Sequence, residues 1–214
     1  MKRIEGCKMK FIKKIPPEDE KRSEELAHHG YKKLKEPKSV GAAIAISLPL
    51  SMLLMVLAGF WCYFLNPTFF DFMSEEGMSI ELTFHLSSIL YLAGMVLCLL
   101  IHELIHAVFI PKVWRSEKTY WGFNGLFGFV YTEEKLTKER FLLVSIMPLI
   151  LISFVFPVIL NAFGIWSHYL IFLSVFNAGG ACVDLLNIVL VTAQVPYRGY
   201  VVSNGYSSFY KKAS

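Results

Sequence analysis

Charge is what this sequence has least of, and the shortage is uneven. Charged residues make up only 18% of the 214-residue chain, where a soluble domain carries about a quarter. No Asp, Glu, Lys or Arg occurs from Ser39 to Phe70, from Leu82 to Ile101, from Phe141 to Val183 or from Leu185 to Tyr197. A run of roughly 20 apolar residues crosses the hydrocarbon core of a bilayer as a helix. These runs exclude an ordinary soluble domain and predict an all-α membrane protein with four transmembrane helices. Cys-x-x-Cys pairs are also absent. Cys7, Cys62, Cys98 and Cys182 are scattered, three of them in apolar runs, and they read as free packing thiols. The first apolar run begins only near Val40, after a long charged segment, so no cleaved signal peptide is expected.

The spans are predicted at about 40–65, 82–110, 141–163 and 169–195. They imply three parts: an N-terminal tail over 1–38, a four-helix membrane domain over 39–195 and a C-terminal tail over 196–214. Pro49 is a possible kink in the first span. The stretch from Trp121 to Tyr131 is aromatic, glycine-spaced and too short to cross. It reads as a short hairpin or re-entrant loop between helices two and three, or as an interfacial anchor. If a hairpin, its open strand edge would suit an extended peptide.

All 21 Lys and Arg lie in the N-tail, the loop after span two and the C-tail. Four crossings put those segments on one side of the membrane, and the positive-inside rule makes that side the cytoplasm. The basic charge is thereby explained by topology, with membrane lipid as the expected partner and no nucleic acid. The loop before span two carries Asp71, Glu75, Glu76 and Glu81 and no basic residue.

Only two acids fall inside the spans, Glu103 and Asp184. Ionisable groups in hydrocarbon cost roughly 2.5–3.5 kcal/mol on insertion scales and mark functional sites. Glu103 belongs to His102-Glu103-Leu104-Ile105-His106. Histidines at i and i+4 share one helix face, so both imidazoles can bind one zinc, with the Glu placed as base rather than ligand. Asp184 in span four lies within about one helical turn of the same depth and is the third-ligand candidate. Asn177, two turns before it, is a candidate for substrate binding or for a helix–helix hydrogen bond. Asn187 is a candidate to orient Asp184. Gly179-Gly180 permits close helix approach or local unwinding. His28-His29 reads as a solvated pair, His85 and His168 as interfacial residues. Against the metal site stands a buried polar network in which His102, Glu103, His106 and Asp184 satisfy one another.

The His102-Glu-Leu-Ile-His106 helix followed by Asn177-Ala-Gly-Gly-Ala-Cys-Val-Asp184 resembles the site-2 protease superfamily of intramembrane zinc proteases. More closely, most of residues 9 to 210 resembles the bacterial putative zincin peptidases, small four-helix membrane proteins. Met9 to Pro17, Gly30 to Pro37 and Arg140 to Pro148 carry that likeness as well. The resemblance implies zinc held by His102, His106 and Asp184, Glu103 as general base, and a bacterial plasma membrane, in which the positive-inside rule puts both termini in the cytoplasm. The second motif departs from the site-2 pattern: Gly180 stands where that pattern has Pro, Asp184 comes one residue early, and Leu185 follows it.

The expected function is a membrane-embedded zinc metallopeptidase that hydrolyses a peptide or membrane-protein substrate. The alternative is a non-catalytic metal-binding membrane protein, a regulator or an immunity-type partner. A cation transporter fits less well, because it has no use for a Glu between two histidines.

Overall fold

The computed structural model describes residues 9–73, 87–123 and 128–213. After the two-residue strand β1 (Lys10–Phe11), helix α1 (Glu20–His28) opens on Asp19, whose side chain accepts from the Arg22 amide at 3.3 Å and satisfies one of the orphan donors of a helix start. Strand β2 (Lys32–Lys33) precedes α2 (Val40–Leu65), which is capped by Ser39 Oγ on Ala42 N at 3.2 Å and contains Pro49. A 3-10 stretch, Pro67–Met73, follows. Helix α3 (Ser87–Phe109) leads to β3 (Thr119–Phe123), β4 (Gly128–Thr132) and β5 (Leu136–Thr137). Thr137 Oγ1 accepts from Arg140 N at 3.2 Å and starts α4 (Lys138–Pro148). A π-helical stretch, Leu149–Val155, joins it to α5 (Phe156–Ala162). The wide turn runs up to Pro157, which has no N–H to continue the ordinary ladder. Helices α6 (His168–Gly180) and α7 (Cys182–Gln194) precede the hairpin β6 (Tyr200–Asn204) and β7 (Ser207–Lys211).

Four helical stretches are long and apolar enough to cross a membrane: Val40–Leu65, Ser88–Phe109, Lys138–Ala162 and His168–Gln194. They fall where the uncharged runs predict spans. The all-α expectation is nonetheless overturned. The described residues form two sheets, ordered β1-β3-β4 and β2-β7-β6-β5. The segments expected to be tails supply β1, α1, β2, β6 and β7. Their charge kept them out of the apolar runs, but short strands tolerate Lys and Ser as long as each finds a ladder partner. The hairpin expected near 121–131 is present as the antiparallel pair β3–β4, built into the first sheet.

The chain divides into two compact units. Unit 1 comprises Met1–Ile46, Glu103–Met147 and Val183–Ser214 and holds both sheets. One part of its core gathers Leu34, Val191, Val195 and Val201, and another gathers Ala107, Ile110 and Val113 against Met9, Val130 and Val144. The β6–β7 turn places Gly205 at φ 60°, a backbone region that costs an L side chain about 1–2 kcal/mol. Its amide donates to the buried Tyr131 hydroxyl at 2.7 Å.

Unit 2 comprises Ser47–His102 and Pro148–Cys182, and its described residues are helical. Its core packs Cys62, Leu160 and Ile171 beneath Phe69, Phe70 and Trp166. Trp61 Nε1 donates to the Phe154 carbonyl at 2.9 Å. A side chain at Gly179 would meet Met55 Sδ at 2.9 Å, so this glycine serves close helix approach. The helix is interrupted just beyond it, at Ala181. Cys62, Cys98 and Cys182 are free and buried, and Cys7 lies outside the described residues.

Candidate metal centre

Helix α3 carries His102, Glu103 and His106 through one uninterrupted stretch, so the two histidines stand one turn apart on one face. Each imidazole is tethered through Nδ1. His106 Nδ1 donates to the Val144 carbonyl at 2.9 Å. His102, 6% exposed, places Nδ1 at 2.8 Å from Asn177 Oδ1. A backbone or amide oxygen can only accept, so Nδ1 carries a proton in each ring and Nε2 is the nitrogen left to bind a metal. That is the form in which imidazole binds a metal.

Asp184, in the first turn of α7, brings Oδ2 to 3.4 Å from His106 Nε2. The contact is an ion pair while Nε2 carries a proton, and a metal ion in place of that proton would bridge the same two atoms. Two ligands bound tetrahedrally at about 2.0–2.2 Å from zinc stand about 3.4 Å apart, which matches this pair. His106 and Asp184 each offer one ligand atom here, and His102 stands one turn before His106 on the same helix. The donor set therefore fits a zinc ion, with three protein ligands as in catalytic sites.

Glu103 is held apart from that set. Its Oε2 accepts from the Val130 amide of β4 at 3.0 Å. Val130 pairs with Trp121 of β3, whose carbonyl accepts from Ile12 on the other side at 2.9 Å. The Trp121–Val130 pair is therefore not a hydrogen-bonded pair of that ladder, and the Val130 N–H points to the open edge of the sheet, at Glu103. Gly128, two residues earlier, lies so close that a Cβ there would come within 3.1 Å of Glu103 Cγ.

Beside His106 and Asp184 lies a cavity of about 160 Å³ lined also by Val130, Thr132, Glu134 and Asn187. Asn187, expected to orient Asp184, shares this lining. Asn177, expected to bind substrate, is 1% exposed; besides meeting His102, its Nδ2 donates to Pro148 O at 3.2 Å and Ser153 Oγ at 2.9 Å. Cys182 accepts from Ser47 Oγ at 3.3 Å, a packing position. His168 rests on Phe69, ring centroids 4.4 Å apart. His29 donates to the Glu25 carbonyl at 2.7 Å at the end of α1, and His85 lies outside the described residues.

Sequence reasoning missed Ser153, Gly128 and the two backbone groups, Val144 O and Val130 N–H. Ser153 is a polar residue in an apolar run and was open to notice. Backbone groups carry no sequence signal.

Residues 95–200 match the family model described as putative zincin peptidase. That span contains His102, Glu103, His106, Asn177 and Asp184. The match supports a zincin-like family, and with it a metallopeptidase and zinc at a coarse level. No curated protein and no solved structure matches the chain.

Proposed function

We propose that this chain is a membrane-embedded zinc metallopeptidase that hydrolyses a peptide bond in or near the bilayer, with both termini in the cytoplasm. The observation that carries the reading is the 3.4 Å approach of Asp184 Oδ2 to His106 Nε2, on the helix that also bears His102 and Glu103. The zincin-like match over residues 95–200 supports it. So do the four apolar helices and the placement of every Lys and Arg on one predicted side.

His102, His106 and Asp184 would hold the ion. When bound, zinc supplies Lewis acidity that polarises a carbonyl and makes water a nucleophile near neutral pH. Glu103 takes the proton of the attacking water on its carboxylate and passes it to the departing amine nitrogen. The Val130 N–H fixes that carboxylate through Oε2, so little reorientation is needed for the transfer. The substrate must present an extended backbone, because a helical peptide bond is shielded by its own hydrogen bonds.

The test is Glu103→Gln in purified, zinc-loaded protein, scored by mass spectrometry of products from membrane proteins reconstituted with it. Zinc should stay bound while product formation falls by about 10²- to 10⁴-fold. Equal product formation by wild type and variant would overturn the reading and leave a metal-binding protein without peptidase chemistry.

A further inference from the structure

The buried polar chain that ends on His102 has a direction, and its far end sets it. The Ser174 carbonyl can only accept, so the Ser153 hydroxyl, 2.7 Å away, donates to it. Ser153 Oγ is then left to accept, and Asn177 Nδ2 donates to it at 2.9 Å. The second Nδ2 hydrogen goes to the Pro148 carbonyl at 3.2 Å, another group that only accepts. Turning the amide over would set Oδ1 against that carbonyl. Ser153 and Ser174 are 0% exposed and Asn177 1%, which leaves bulk water no access to relieve the clash. Asn177 Oδ1 must therefore face His102, and it meets Nδ1 at 2.8 Å. An acceptor at Nδ1 keeps a ring proton there and makes Nε2 the ring's metal-binding nitrogen.

We infer that Asn177 and Ser153 are positioning residues that lock His102 in its Nδ1-protonated tautomer, so that Nε2 is ready for the ion before it arrives. The inference rests on the zinc reading. Every residue of this hydrogen-bonded series, from Ser174 to His102, belongs to unit 2. It gives Asn177 a task different from substrate binding and draws in Ser153, which sits in the π-helical stretch.

The test has two readouts. One is zinc affinity by chelator competition. The other is the ¹⁵N ring spectrum of His102 in the metal-free protein at alkaline pH, which reports the tautomer without any metal. Asn177→Ala should weaken zinc by about 10- to 100-fold and mix the tautomers. Asn177→Asp keeps an acceptor at Nδ1 but loses both amide donors and sets an oxygen against the Pro148 carbonyl, so it should keep the Nδ1–H form and lose less zinc affinity than Asn177→Ala. Ser153→Ala, with the Pro148 carbonyl still in place, should have a smaller effect than Asn177→Ala. A merely structural role predicts that the Asp variant fails as badly as the Ala variant. Wild-type affinity in Asn177→Ala, or an Nε2–H ring in the metal-free wild type, would overturn the inference. Should the Asn177 variants not fold, the wild-type and Ser153→Ala spectra decide it. A wild type that binds no zinc would end the zinc reading, while the ring spectrum still judges the tautomer.

Discussion

Units 1 and 2 hold their parts of the His102–His106 motif by different means. In unit 2, His102 hangs on side chains: an amide, a hydroxyl and the carbonyls behind them. In unit 1, His106 and Glu103 are held by backbone, a helix carbonyl and a strand-edge amide. The segments of unit 1 also contain all 21 Lys and Arg, while unit 2 has acids only, between Asp71 and Glu81. Along a helix the amides are engaged in the ladder, so only carbonyls and side chains remain to orient a ligand there. A unit with sheets has an open strand edge to offer. Substitutions should therefore act directly on the His102 tether. The tethers of unit 1 should yield only to changes that reshape its backbone.

The comparison can be broken hardest at Gly122. A Cβ there would meet the Ile12 carbonyl at 2.1 Å and the Phe129 ring at 2.3 Å, so Gly122→Ala should cost unit 1 about 2–3 kcal/mol of overpacking. Gly180 in unit 2 has nothing within 4 Å, and Gly180→Ala should change stability by less than about 1 kcal/mol. Thermal unfolding of the two variants in detergent compares them directly; equal losses would contradict the packing described for β1 and β3.

Val130→Pro comes next. It deletes the amide that holds Glu103 without removing a β3–β4 ladder bond. Loss of a hydrogen bond to a charged group is worth about 1.5–3 kcal/mol, so turnover should fall roughly 10- to 100-fold while bound zinc is unchanged. Loss of zinc in this variant would show that the strand supports more than the base.

Tyr131→Phe should cost about 1–2 kcal/mol in unfolding free energy, because the Gly205 amide loses its 2.7 Å acceptor in a buried place. The smallest effect belongs to Glu18. Hydrogen bonds from Lys33, Ser207 and Ser23 outweigh its burial and hold its carboxyl at about 2, against an ordinary 4.5. A depressed folded-state value means stability that is present above pH 4.5 and is lost as pH falls from there towards 2. Glu18→Gln should flatten that part of the stability profile; an unchanged slope would mean the carboxylate contributes nothing to the sheet it touches.

Much of the candidate site was legible because long apolar runs make polar residues conspicuous. Glu103 and Asp184 stood out as the only charges in the spans, and the i, i+4 histidines declared a shared face. The spans followed from the same contrast. The second sheet did not, because its strands are short and partnered far along the chain: Lys32 with Tyr210, Leu136 with Val201. Asn204-Gly205 between β-forming runs was the one local sign of a hairpin in the C-terminal segment. Asn177 was marked for its place on the Asp184 face, yet its hydrogen bonds run to His102, Pro148 and Ser153. Helical spacing gives the face of a residue but not the neighbour it meets.

The most direct test of the central claim is the zinc content of the detergent-purified protein, prepared without chelators and supplied with zinc, beside His106→Ala and Asp184→Ala. The account predicts about one zinc per chain in the wild type and its loss in both variants. A wild type without zinc, or an Asp184→Ala variant that keeps it, would contradict the ligand set.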